Sequence, residues 1–341
     1  MRAAVYYSNS DVRIEERERP TPGPGELLLR IHASGVCGSD VMEWYRKPRA
    51  PLVLGHEIAG TVEEAGPGVT RFAPGDRVVA THHVPCNTCD YCLTDRHSVC
   101  DTLRTTTFDP GGFCEFVRLP AINVDRGTFV IPDGVSFEDA TFVEPLACVV
   151  RAQRITGLRP GDSVAVLGSG ISGILHLKMA RANGAGVLIA TDTSDYRVAA
   201  ACGFGADLAL RADADLVQRV QDFNRGRLAD QVLVCTAAKP ALEQALQLVE
   251  RGGTILFFAP LDPDDTLALP MNDLWKRGVT LTHSYAGPPA DMRTALELIH
   301  ARRVEVGAMV SHRLGLGQTQ EGFRLTAEAG ESMKVIIDPR K

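Results

Sequence analysis

The sequence predicts a two-domain α/β protein, an irregular β-rich domain joined to a doubly wound parallel sheet. Three observations predict it. Gly and Pro punctuate short apolar runs through the first third, as in TPGPGE and AGPGV. From residue 159 onward, strand-like and helix-like segments alternate. The 341 residues suffice for two compact domains.

Each element has its local reason. RAAVYY at 2–7 opens the chain as a strand, and LLLRIHA at 27–33 is apolar and β-prone. PLVLGHEIAGTVEEAGPGV at 51–69 holds two extended runs parted by glycine, and FAPGDRVVA at 72–80 reads as turn then strand. Near Asp139 the period changes, and residues 138–158 (EDATFVEPLACVVRAQRITGL) have helical spacing. Residues 159–185 then read as turn, buried strand, Gly-rich loop and helix. VLIATD, YRVAAACGFGA, QVLVCT, PALEQALQLVE and GGTILFFA continue the alternation. PADMRTALELIHARRV at 289–304 is an amphipathic helix, and MKVIID at 333–338 is a strand expected to return to the first domain. The expected division is 1–147, 148–286 and 287–341, with a cysteine lobe at 82–103 inside the first part.

Composition limits the function. Apolar residues make up 45%, and a net charge of −6 comes from interspersed acids and bases. That pattern excludes a nucleic-acid surface and a polybasic membrane patch. Met1 leads directly into a strand, so no signal peptide is expected, and no apolar run approaches a bilayer span.

Cys86, Cys89, Cys92 and Cys100 form a CxxCxxCx7C cluster in one loop-like segment. Overlapping cysteines at this spacing suit one tetrahedral zinc ion better than two strained disulfides. A thiolate cluster of this kind implies a reducing, cytoplasmic compartment. Cys114, Cys148, Cys202 and Cys235 lack metal spacing and read as small core residues.

Gly168, Gly170 and Gly173 spell GxGxxG between a strand and a helix, the setting in which that motif holds a dinucleotide. The first glycine makes the turn, the second admits the pyrophosphate, and the third lets helix and strand pack closely. Ile171 and Ser172 complete the loop at the helix N-terminus, which faces the phosphates. Asp192 ends the next strand, where a carboxylate accepts from the ribose hydroxyls of NAD and repels the 2′-phosphate of NADP. Arg197, five residues on, favours a phosphate; alternatively Asp192 only caps the next helix.

GVCGSD, GHEIAGTVEEAGPGV, the cysteine lobe and GSGISG occur in the order found in zinc-dependent medium-chain dehydrogenases. The resemblance covers essentially the whole chain. With GHE and VEPL together, it is similar to the sorbitol (polyol) and threonine dehydrogenase branch. The resemblance implies a GroES-like catalytic domain interrupted by a Rossmann domain, two zinc ions per chain, NAD as cofactor, and a homotetramer or homodimer.

It carries over Cys37 and His56 as ligands of a reactive zinc, with Glu57 or Glu144 as the third. Cys86, Cys89, Cys92 and Cys100 would hold the structural zinc. Ser39 matches the hydroxyl that contacts the substrate alcohol. The implied reaction takes a hydride from a secondary alcohol on a small polar substrate (a polyol, sugar alcohol or cyclitol) to give a ketone. Threonine and simple secondary alcohols are alternatives, as is a zinc-deficient reductase or non-catalytic relative. Between CGSD and GHE the chain is shorter than in many polyol dehydrogenases, and Trp44 and Tyr45 lie in that segment. His83, three residues before Cys86, matches a histidine near the reacting centre of threonine dehydrogenases, although its neighbour His82 suits a surface pair equally well.

Overall fold

A computed structural model describes residues 1–213 and 215–341. The chain forms two units, Met1–Ala147 with Ala286–Lys341, and Cys148–Tyr285.

In the first unit, strands β1 (Arg2–Ser8), β2 (Asp11–Glu16), β3 (Leu27–Gly35), β4 (Leu52–Val53), β5 (Glu57–Ala65), β6 (Arg77–Ala80), β7 (Phe116–Leu119) and β8 (Thr128–Val130) appear in turn. β1 pairs antiparallel with β2 and β4. β3 pairs antiparallel with β5, placing Gly35 opposite Glu57. Leu27, Leu29 and Ile31 alternate inward from β3 to meet Ile58, Val62 and Val78, which fixes the register, since a one-residue slip would turn these side chains outward.

The chain leaves this unit within helix α1 (Val143–Thr156). Six parallel strands follow: β9 (Ser163–Leu167), β10 (Val187–Asp192), β11 (Leu208–Arg211), β12 (Ala229–Val234), β13 (Val249–Phe257) and β14 (Thr280–His283). Their order is β11-β10-β9-β12-β13-β14. Helices α2 (Ile171–Ala182), α3 (Asp195–Gly203), α4 (Leu216–Phe223), α5 (Lys239–Leu248) and α6 (Met271–Arg277) connect them. β9 is buried at every position, as a central parallel strand must be when both faces are covered.

The chain re-enters the first unit through α7 (Pro289–His300), β15 (Val310–Gly315), α8 (Thr319–Glu328) and β16 (Lys334–Asp338). β16 pairs with β3, so the MKVIID strand does return to the first domain. The large sheet there runs β15-β16-β3-β5-β6-β8, with β7 also on β3. No helix among the described residues is long and apolar enough to cross a membrane.

Candidate functional site

The β3–β5 register brings Cys37, two residues past the end of β3, to His56 and Glu57 at the start of β5. The Cys37 sulfur, a His56 ring nitrogen and a Glu57 carboxylate oxygen lie within 4.8 Å of one another. Thiolate, imidazole and carboxylate are the donors of an open zinc site, so this set fits a resident zinc ion. Fully buried Asp40 supports it: its Oδ2 accepts from the Cys37 N–H at 3.1 Å, and its Oδ1 lies 3.4 Å from His56 Nδ1. His56 Nε2 is thereby left for a ligand, the usual role of such a carboxylate. Burial works against charge on His56, yet Asp40 and Cys37 raise its pKa well above the ordinary imidazole value. The cluster therefore draws positive charge to the place where a cation would sit.

Glu57 has a second partner. Lys334 on β16 forms an ion pair with it, and both side chains are almost wholly buried. Lys334 Nζ also donates to the Val36 carbonyl at 3.2 Å and lies 5.6 Å from the Phe142 ring centre. Gly35 makes room for the pair: a Cβ there would collide with the Glu57 carboxylate and approach Nζ to 2.8 Å.

Ser39 Oγ donates to Cys37 Sγ at 3.4 Å. Arg46 clasps Ser39 twice, donating from Nε to its carbonyl at 2.9 Å and from Nη2 to Oγ at 3.2 Å. The guanidinium is also 3.6 Å from Asp40 Oδ1 and 4.7 Å from the Tyr45 ring centre. Tyr45 sits between Arg46 and Arg49, while Trp44 is exposed.

Glu144 lies in the first turn of α1 and gathers with His82 and His83, whose donor atoms and its own are within 4.8 Å of one another. The His82 ring packs 4.7 Å from His56 and 3.7 Å from His83. Burial pushes the Glu144 carboxyl up to about 7, opposed in part by His56. Burial likewise lowers His82 well below the usual range and His83 to about 3, so both rings stay neutral.

The four lobe cysteines converge. Sulfur separations are 3.9 Å for Cys86–Cys92, 3.6 Å for Cys89–Cys92 and 3.7 Å for Cys86–Cys100. Zinc–sulfur bonds of about 2.3 Å in a tetrahedron put the sulfurs about 3.8 Å apart, so the cage fits one zinc ion. Backbone N–H groups of Thr88 and Cys89 point at Cys86 Sγ, at 3.5 and 3.3 Å, as thiolates require. Leu103 and Ala286 pack against the cage.

In the second unit, Gly168 has φ +94°, a left-handed conformation that favours glycine. A Cβ on Gly173 would strike the Gly168 carbonyl oxygen, so the third glycine allows the close approach of helix to strand. Gly170 caps α2, with Ile171 and Ser172 in its first turn. Asp192 accepts from the Ser169 N–H at 2.8 Å and from the Ser194 N–H at 2.9 Å. It thus ties the glycine loop to Ser194, the residue that caps α3, and is not itself the helix cap, while presenting a fixed carboxylate. Arg197 lies by the glycine loop, its guanidinium 3.6 Å from where a Gly170 Cβ would be.

Sequence reasoning missed four participants. Asp40 stood in the CGSD motif without a role. Arg46 is one cation among several in its loop. His82 reads from sequence as a surface neighbour of His83. Lys334 carried the one available signal, a lysine directly ahead of the apolar run Val335–Ile337.

The sequence matches two families, the alcohol dehydrogenase GroES-like domain over residues 23–132 and zinc-binding dehydrogenase over residues 172–301. Sorbitol dehydrogenase of Gallus gallus is 31% identical, over 98% of this chain and 95% of its own. An alcohol dehydrogenase of Geobacillus stearothermophilus is 33% identical, over 89% of this chain and 90% of its own. A zinc-binding dehydrogenase target from Sinorhizobium meliloti 1021, solved bound to NADP, superposes with a TM-score of 0.89 at 26% identity over 99% of both chains.

Removing one partner of the Glu57–Lys334 pair strands a buried charge. Lys334→Met is expected to cost roughly 3–5 kcal/mol in chemical unfolding. Adding Glu57→Leu should recover most of that loss, and an equal or larger loss in the double variant would show that the pair does not act as a unit. The cysteine cage makes a separate prediction. Cys92→Ser should lower bound zinc by one equivalent and raise hydrogen exchange in Asp101–Thr105 while leaving that of α2 unchanged; unaltered zinc content would exclude the cage as a metal site.

Proposed function

The chain belongs to the zinc-binding alcohol dehydrogenase family, and we propose that it oxidises a secondary alcohol on a small polar substrate, a polyol, sugar alcohol or cyclitol, with NAD. The convergence of Cys37, His56 and Glu57 beside the Ser39 hydroxyl carries this reading. A zinc-deficient reductase or non-catalytic relative has no need of such a donor set.

Cys37, His56 and Glu57 would hold the reactive zinc, with Glu144 next to them. Zinc held there would supply Lewis acidity to the alcohol oxygen, and a nicotinamide cofactor would supply the hydride acceptor. Ser39 Oγ would accept the proton of the reacting hydroxyl while giving its own, now directed at Cys37 Sγ, to solvent water. Arg46, already donating to Oγ, holds that oxygen in place and favours negative charge on it. Asp40 fixes the His56 ring, and Lys334 fixes the Glu57 carboxylate. In the second unit, the glycine loop and the N-terminus of α2 would take the pyrophosphate.

The Asp192 carboxylate, held by two backbone N–H groups, favours NAD, since a 2′-phosphate beside it would be repelled. Arg197 is the competing influence, and the relative from Sinorhizobium meliloti binds NADP. A second copy of the chain is the proposed partner, as homodimer or homotetramer. β14 ends the parallel sheet as an edge strand, and α6, which precedes it in the chain, exposes Trp275 at 78% and Met271 at 62%. The reduced cysteine cage suits a cytoplasmic setting.

The test is NADH formation by zinc-loaded protein with sugar alcohols, cyclitols, threonine and simple secondary alcohols, each with NAD and NADP. Polyol turnover with NAD is expected. Preferred turnover of threonine would move the substrate class, and silence with two zinc ions bound would overturn it. Cys37→Ser should abolish turnover with the fold retained. Asp192→Asn, which keeps an acceptor for the two N–H groups, should narrow the preference for NAD by roughly tenfold; an unchanged ratio would remove Asp192 from cofactor choice.

A further inference from the structure

Arg46 is held more firmly than a surface arginine and still has hydrogen bonds to give. Nε donates to the Ser39 carbonyl at 2.9 Å, and Nη2 donates to Ser39 Oγ at 3.2 Å. The Tyr45 ring centre is 4.7 Å from the guanidinium carbon, and Arg49 packs on the same ring at 4.5 Å while donating to its hydroxyl at 3.3 Å. The Arg46 side chain is 14% exposed. Among the described residues, its Nη1 has no acceptor. Two N–H groups of a fixed cation are therefore unspent next to the hydroxyl that would take the substrate's proton.

The charge on that guanidinium is permanent. Asp40 faces it from 3.6 Å, beyond a hydrogen bond, and also accepts from the Cys37 N–H and lies 3.4 Å from His56 Nδ1. Glu43, the acid at the outer side of the segment, meets Lys47 at 3.8 Å. A neutral hydroxyl could accept from Nη1, but a hydrogen bond to an anion is about twice as strong. One guanidinium matches a singly charged carboxylate better than a phosphate, which carries about two charges. Ser39 Oγ touches the same guanidinium, so a hydroxyl bonded to Oγ and a carboxylate bonded to Nη1 belong to one small molecule. Hydrogen bonds of about 2.9 Å at each end put their carbons roughly two to four bonds apart.

We propose that Arg46 is a subsite for a carboxylate carried by the substrate, so that the enzyme selects polyhydroxy acids over the neutral polyols of the same configuration. The proposal rests on the alcohol-oxidation reading and deepens it. Arg46 is then a specificity-determining residue as well as the group that positions Ser39: Nε and Nη2 hold the serine, and Nη1 reads the acid. Tyr45 keeps the guanidinium plane in place for both tasks.

The experiment compares gluconate with glucitol, galactonate with galactitol, and mannonate with mannitol, using zinc-loaded full-length enzyme and NAD. Each pair differs by a terminal carboxylate in place of a hydroxymethyl group. Wild type should favour at least one acid over its alditol by about tenfold or more in kcat/KM, the difference between a charge-assisted and a neutral hydrogen bond. The amide of the preferred acid, which keeps its shape without its charge, should behave as the alditol, a comparison that needs no variant. Arg46→Gln should slow acid and alditol alike, since Ser39 loses a donor, so their ratio is the readout. That ratio should fall to within about threefold of unity, chiefly through the KM of the acid. Arg46→Lys, which keeps the charge and loses the fork, should retain part of it. Bound zinc should stay at two equivalents in both variants. Alditols turned over as well as their acids in every pair overturn the subsite and leave the dehydrogenase reading intact. An acid preference unchanged in Arg46→Gln, or shared by the amide, overturns Arg46 as its source. Failure of wild type to oxidise any acid or alditol overturns both readings together.

Discussion

The buried ion pair between Glu57 and Lys334 is the constraint on which the first unit is organised. Glu57 opens β5, and Lys334 opens β16, the last strand of the chain. A charged pair with almost no exposed surface persists only when its geometry is complete, because either partner alone would bear the full cost of desolvation. Here it is completed by the Val36 carbonyl, the Phe142 ring and the space left by Gly35. The C-terminal strand therefore belongs to the site. Its pairing with β3 delivers the cation that fixes one donor of the metal set, so the first unit cannot finish that site until residues more than 270 positions apart have met.

The same pair shapes the chemistry. A carboxylate already paired with a lysine would be a restrained metal ligand. Asp40 restrains His56 from the other side, and Arg46 ties Asp40 to Ser39. The Ser39 hydroxyl, the His56 imidazole and the Glu57 carboxylate are thus each oriented by a separate buried or half-buried group. Such orientation lets a site act on substrate without reorganising, the main contribution a protein makes where metal and cofactor carry the reaction.

Much of this was legible in the sequence because its signals are local. The four lobe cysteines sit within one short segment, and their spacing alone gathers them. The glycine motif reports its own backbone, and Gly168 and Gly173 do what the motif predicts. The alternation of strand and helix across 159–259 reports each element's burial. What was not legible is non-local. Nothing near Lys334 in sequence names Glu57 as its partner, and nothing near Arg46 shows that it clasps Ser39. The placing of Glu144 with His82 and His83, and of Glu57 with Cys37 and His56, depends on where α1 starts relative to β5 and β6. Sequence left both glutamates beside one ion for that reason. The resemblance to a family joined Cys37 to His56, because spacing in the chain could not.

Two metal-type centres within one unit need different donors to behave differently. The cage at Cys86, Cys89, Cys92 and Cys100 offers four equivalent sulfurs at tetrahedral spacing, with backbone N–H groups already turned toward Cys86. All four positions of an ion are filled, and nothing in the cage is free to give way to a ligand. The set at Cys37, His56 and Glu57 offers three unlike donors, one of them shared with Lys334, and leaves a position for a fourth group. One arrangement would close a loop around an ion, and the other would leave that ion open to a further group.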